Sequence, residues 1–289
     1  TIASTALPDA LLNLSKAAAA AAGSTEGIGY FARFGVTEKM LRDGLGAALS
    51  RGADYADLFF QHRVSNGLGL EDGEVNRAST SVELGVGVRA IKGDQTGYAY
   101  TEELTPEALL LAAKTAAAIA DGPATPAPKG LKVGGALPAR YPVKTRWEDV
   151  RPQQKLPLLS GLNEKVLAAD RRIRKVNVSF GDEAGAILFA DSNGRVVEDL
   201  QPMTRLYLSC VAEQDGKKET NGYNVAGRAD IGFYSPERLD RMVSEAVSRT
   251  LILFDAVQPP AGEMPVVLGA GASGILLHEA IGHGMEADF

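Results

Sequence analysis

The sequence is poor in the residues that usually announce a chemistry: one cysteine, Cys210, three histidines and one tryptophan in 289 positions. A single thiol excludes an internal disulfide framework and, on its own, any CxxC metal knuckle. Long apolar runs are missing too. None reaches the roughly 18 residues that span a bilayer, and the alanine tract Lys16 to Gly23 is too short and too weakly hydrophobic to do so. There is no basic excess: 30 Lys and Arg stand against 36 Asp and Glu, a formal net charge of -6. The basic residues fall in short mixed runs such as Arg171-Arg172-Ile173-Arg174-Lys175, so neither nucleic acid nor membrane is an expected partner. What remains is ordinary globular composition, 45% hydrophobic and 23% charged, with length for two or three domains. The expected compartment is the cytoplasm. The small-residue opening "TIASTALP", without a methionine, keeps a trimmed export signal as the alternative.

The chain alternates between two periodicities. After an alanine-rich extension, residues 1–34, expected to be helical, Thr37 is placed to cap a helix running to about Ser50. Met40, Leu41, Leu45, Ala48 and Leu49 form its apolar stripe, and Gly52 ends it. From Asp54 to Thr101 the period drops to two, with "DLFFQHRV", "GLGLEDGEVNRAS", "VELGVGVRAI" and "TGYAYT" as strand material and Asp72-Gly73 and Gly93-Asp94 as turns. Thr105, Pro106 and Glu107 then open a second helix expected to reach Asp121. Residues 122–130, rich in Pro and Gly, read as a linker. The grammar then recurs. A helix is expected near Gln153 to Ala169, with Pro157 in its first turn or breaking it, followed by strands hinged at Asn193-Gly194 and Asp215-Gly216. Ser235-Pro236-Glu237 launches a helix packed by Leu239, Met242, Val243, Ala246, Val247 and Leu251. The expectation is an α+β fold: antiparallel sheets with packed helices in two domains, 35–121 and 131–258, then residues 259–289 as the truncated start of a third, mainly β, catalytic domain.

That last stretch, "EMPVVLGAGASGILLHEAIGHGMEADF", reads as a buried strand "MPVVLGAG", a Gly-rich turn, and a helix capped by Ser273 that carries two histidines. Their spacing is unusual, because Ala280, Ile281 and Gly282 separate Glu279 from His283. In a regular α-helix positions i and i+4 lie about 40° apart, but i and i+5 about 140°. His278 and His283 therefore share a face only if a π-type turn intervenes, and Gly282 and Gly284 ease such a distortion or an early helix end. A bulge or a helix end is expected between Glu279 and His283. Two neutral imidazoles suit a zinc ion that keeps an open position for water, and a carboxylate beside one of them is placed to act as general base in amide hydrolysis.

The segment Leu276 to Phe289 resembles the "LLHEAxGHGxExDF" helix of the TldD/PmbA metallopeptidase family. The resemblance extends to "ALSRGADYADLFF", "LEDGEVNRAS" and "GVGVRAIKGDQTGYAYTEEL", and so to most of residues 35 to 289, with the intact histidine motif pointing to the TldD-like branch. It implies a zinc peptidase acting on peptides and unfolded chains, often paired with a TldE/PmbA-like subunit, a homodimer being the alternative. It implies His278 and His283 as Zn2+ ligands, Glu279 as catalytic base, and a cysteine beyond Phe289 as third ligand. Within the chain the substitute third ligands are Glu286, Cys210, which sits where a core thiol would, and Asp288. His62 reads as a surface or substrate-contact group. Tyr98 and Tyr100 share one strand face, and Gly85, Gly87 and Gly97 suggest close backbone approach that peptide capture by strand addition can use. Beside the peptidase stands a second reading, a non-catalytic peptide-binding or dimerisation module ending in half a metal site.

Overall fold

A computed structural model of the chain describes residues 28–119, 128–133 and 141–286. Most of the expected N-terminal extension and linker, and Asp288, lie outside the described residues; the described end of the extension, Gly29–Phe34, is a 3-10 helix. The chain forms two compact units, one ending at Phe254 and the other starting at Asp255.

In the first unit the helix starts follow their cap chemistry. Thr37 accepts from the Met40 N–H at 3.2 Å and opens α1, Glu38–Leu49. Thr105 accepts from the Ala108 N–H at 3.2 Å and opens α2, Pro106–Ala117, which stops short of the expected Asp121. Helix α3 spans Pro152–Ala169 and runs through Pro157, which neither opens nor breaks it. A proline this early forfeits only the bond to the Gln153 carbonyl, and the rest of the ladder holds. Ser235 caps α4, Pro236–Leu251, through the Arg238 N–H at 3.4 Å.

The strands are β1 Tyr55–Glu71, β2 Glu74–Lys92, β3 Gln95–Thr101, β4 Lys132–Val133, β5 Ile173–Asp191, β6 Arg195–Gln214 and β7 Lys217–Gly227. Positive φ at Asp72 (49°) and Gly73 (87°), and at Asp215 (51°) and Gly216 (79°), gives the two hairpins the primed turns their dipeptides signal. The two expected antiparallel sheets are continuous. Strand β1 pairs antiparallel with β5 from Asp57 opposite Asp191 to Glu71 opposite Asn177. One seven-stranded sheet results, in the order β3-β2-β1-β5-β6, with β7 and the short parallel β4 both paired to β6.

Both hydrophobic cores lie on the same face of this sheet, one at each end. Leu58, Phe60, Leu68 and Leu70 are separated by even numbers along β1, so they share a face. The first two join α1 and α2 in a core with Val86, Val88 and Leu188. The other two join α3 and α4 in a core with Val178, Phe180, Leu206 and Leu208. Between the cores a polar chain crosses the sheet on that face: Thr80 Oγ1 donates to Asn66 Oδ1 (2.8 Å), Asn66 Nδ2 to Asp182 Oδ1 (2.9 Å), and Lys155 Nζ of α3 to Asp182 Oδ2 (2.5 Å). Asn66 and Thr80 sit directly opposite each other in the β1–β2 ladder.

His62 departs from its surface reading. Its Nδ1 lies 2.7 Å from the Tyr30 hydroxyl, and Phe34 packs edge-on at 4.9 Å. Burial pushes its pKa below the ordinary 6.5, partly opposed by Glu148 and reinforced by Arg33. The unfolded chain therefore takes up a proton at higher pH than the folded one. The contribution of this site is complete above pH 6.5 and is lost as pH falls from there through the lowered folded value. Urea midpoints at pH 7.5 and 5.5 should show lower stability at the acid value, with the difference reduced in His62→Gln.

Candidate metal centre

The second unit carries the histidine motif. The expected strand "MPVVLGAG" is not formed, and its Val266 and Val267 are exposed. A strand exists through the ladder it makes with a neighbour, and the described residues from Asp255 onward provide none. Helix α5, Ser273–Leu277, follows a Gly-rich turn. Ala272 holds the cap position, and Ser273 instead donates its hydroxyl to the Gly269 carbonyl. The chain then widens into a π-helical turn over His278–Gly282, closed by the His283 N–H on the His278 carbonyl, and tightens into a 3-10 turn at His283–Met285.

That widened turn brings the motif together. The His278 and His283 rings stand 4.5 Å apart between centroids, inclined at 64°. Ligating atoms of His278, Glu279 and His283 all lie within 4.8 Å of one another. The Glu286 carboxylate, expected as a substitute ligand, sits 2.7 Å from His283 Nδ1. A carboxylate there favours the proton on Nδ1 and leaves the Nε2 lone pair free, the arrangement found where a carboxylate orients a metal-binding histidine. Nε2 in turn faces Glu279 Oε2 at 3.4 Å. Two acceptors so placed are at ease only with a proton or a cation between them, so the donor set fits a divalent ion that prefers nitrogen and oxygen ligands. The position of Glu286 three residues after His283 is the sequence signal for this pairing.

Gly282 matters to the same geometry. A Cβ there would meet His278 Nδ1 at 3.2 Å, a tight contact that the exposed imidazole relieves only by shifting a few tenths of an ångström. Gly282→Ala should displace the ring and weaken zinc binding by about tenfold, within the range seen when ligand orientation is disturbed. Competition with a chromophoric chelator measures it.

The remaining candidates fall elsewhere. Cys210 is buried under α4, its thiol 3.2 Å from Thr250 Oγ1 and 3.7 Å from the Ala246 carbonyl, and burial raises its pKa. It is a core thiol held protonated, whereas a metal takes the thiolate. Tyr98 and Tyr100 are exposed on β3, and the Tyr98 hydroxyl comes within 2.6 Å of where a Gly87 Cβ would sit. Gly97 leaves room for the α2 backbone at Ala116. At Gly87 and Gly97 the close approach is by this chain's own groups.

A family profile for "PmbA/TldA metallopeptidase domain 1" matches residues 56–120, and one for "PmbA/TldA metallopeptidase central domain" matches residues 145–254. The chain belongs to the PmbA/TldD metallopeptidase family. The metalloprotease TldD homolog of Haemophilus influenzae is 35% identical over 246 residues, covering 83% of this chain and 51% of the relative. The chain thus spans about half the length of the curated relatives it matches. Among solved structures, TldE from Thermococcus kodakarensis superposes with a TM-score of 0.55 at 18% identity, covering 74% of this chain and 47% of that one. A Bacteroides thetaiotaomicron protein described as a candidate modulator of DNA gyrase gives 0.59 at 18% identity, covering 74% and 49%. Both likenesses are of fold. Among the described residues no helix is long and apolar enough to cross a membrane.

Proposed function

We propose that this chain supplies the histidine ligands and the general base of a zinc peptidase that hydrolyses peptides and unfolded polypeptides. The observation that carries the reading is the π-helical turn at His278–Gly282, which gathers His278, Glu279 and His283 within 4.8 Å. His278 and His283 hold the ion. Zinc at such a site supplies a Lewis acid and a bound water whose pKa approaches about 7. Glu279 takes a proton from the attacking water and returns it to the leaving amine, and Glu286 keeps the His283 ring turned with Nε2 inward. The family membership and the TldE fold likeness support a second subunit, a TldE/PmbA-like partner or another copy of this chain.

Metal analysis of the purified chain is the test. Zinc at about one per chain, falling to background in His278→Ala, is the expected result. A metal-free chain after zinc loading and dialysis would remove the basis of the reading for these residues.

A further inference from the structure

The α-helices described in the first unit pack on one face of the sheet, and the opposite face carries a trough of 410 Å³ near its middle. Its floor follows from the strand register. On one row Ser79, Gly67, Gly181 and Arg205 stand side by side across β2, β1, β5 and β6; on the next row stand Arg77, Gly69, Ser179 and Tyr207. The two central strands thus present three glycines and a serine, and the trough is the space their missing side chains leave. The walls are polar and cationic. Arg77 leans inward, its Cβ and Nε lying 3.3 and 3.7 Å from where a Gly69 Cβ would be. Arg205 stands on the far wall, three strand spacings or about 14 Å away, with its guanidinium 5.9 Å from the Tyr207 ring.

Neither arginine has a carboxylate partner among the described residues. Of the acids on the rows flanking the floor, Glu183 is paired with Arg63 at 3.2 Å and Glu71 accepts from Asn76 Nδ2 at 3.0 Å. Two unneutralised guanidinium groups over a side-chain-free floor, flanked by the Ser79, Ser179 and Tyr207 hydroxyls, are a recognition site for carboxylate oxygens. The trough runs across four strands and two rows of the floor, and the roughly 14 Å between its arginine walls is close to the spacing of residues i and i+4 on an extended chain. We infer that this trough binds the acidic side chains of an extended peptide. None of its residues is a metal ligand, so this inference and the peptidase reading stand or fall separately.

The protein carries a net charge of -6, so general electrostatics repels an acidic peptide and selective binding must be local. The test is fluorescence anisotropy of the intact chain with a labelled peptide alternating Thr and Glu, beside the same peptide with Gln for Glu. The Glu peptide should bind at least about tenfold more tightly and weaken with salt, and Arg77→Ala with Arg205→Ala together should bring it down to the Gln level. A second variant works through shape alone. A Cβ at Gly181 meets only the Asn66 carbonyl oxygen at 3.8 Å, so a side chain can start there, and Gly181→Val should fill the floor and abolish binding with every charge retained. Equal affinity for the two peptides, or full binding by Gly181→Val, overturns the proposal. Displacement of the peptide by inorganic phosphate at concentrations below the peptide's own dissociation constant also overturns it, reassigning the trough to small phosphates.

Discussion

Lys155→Met should lower the stability of the first unit by about 3–5 kcal/mol, the range measured when one partner of a buried ion pair is removed. The pair is buried on both sides, with side-chain exposures of 3% for Lys155 and 0% for Asp182. The ammonium also lies 5.7 Å from the Trp147 ring centre and 5.8 Å from that of Phe180, so its site is walled by aromatic carbon. Methionine fills the stem's volume but leaves Asp182 with an unpaired carboxylate oxygen in the core. Asn66 still donates to the other oxygen, so the charge is only partly compensated. Since the loss comes mostly from the orphaned charge, Lys155→Met with Asp182→Asn should recover much of it, because the amide keeps an acceptor for Asn66. In a unit of this size the single variant should melt roughly 10 °C below the parent. A loss under about 1 kcal/mol, or no recovery in the double variant, would show that water reaches the pair and that α3 is held by its apolar contacts alone.

Local chemistry was legible in the sequence and long-range pairing was not. Thr37, Thr105 and Ser235 cap the helices they appear to cap, because the cap bond spans three residues and needs no tertiary partner. Asp72-Gly73 and Asp215-Gly216 turn as their positive φ values require. The join of β1 to β5 is different. It pairs residues more than a hundred positions apart, and nothing in either strand's own pattern specifies the other edge. Through it Asn66 and Thr80 join the polar chain that ends at Lys155, a role neither strand's own pattern foreshadows. The same lack of a partner explains the error at "MPVVLGAG", where apolar composition suggested a strand that no neighbouring described strand supports.

The helix distortion at the histidines was legible for a different reason. A five-residue histidine spacing is incompatible with one face of an α-helix, so the sequence demanded a local departure, and the π-helical turn at His278–Gly282 is that departure. What spacing left unsaid is the division of labour between the acids. Glu286 was open to reading as a ligand, and its 2.7 Å contact to His283 Nδ1 adds a second reading, a group that orients the ring. The pairing of His62 with Tyr30 was not foreseen, because Tyr30 lies in a 3-10 turn that the alanine-rich extension did not foreshadow.

Glu279→Gln should reduce peptide hydrolysis about a thousandfold or more while leaving zinc content unchanged, since general-base removal accounts for losses of roughly 10²–10⁴. Glutamine preserves the side chain's length and one oxygen, so packing around the π-helical turn is kept and only proton acceptance is lost. The contrast with His278→Ala is the informative part: that variant should lose both zinc and turnover, because an imidazole ligand is gone. Glu286→Gln should fall between, with zinc affinity lowered about tenfold and turnover restored by added zinc, as expected for a group acting through the orientation of His283. Glu279 is also one of three residues whose donor atoms cluster within 4.8 Å, so a ligand role is the competing assignment. The two assignments separate cleanly. A base leaves the metal in place when amidated and gives a rate defect that added zinc does not repair, whereas a ligand releases metal and is rescued by excess. Loss of zinc from Glu279→Gln at unchanged fold, with activity returning on zinc addition, would move Glu279 from base to ligand and leave proton transfer to another group.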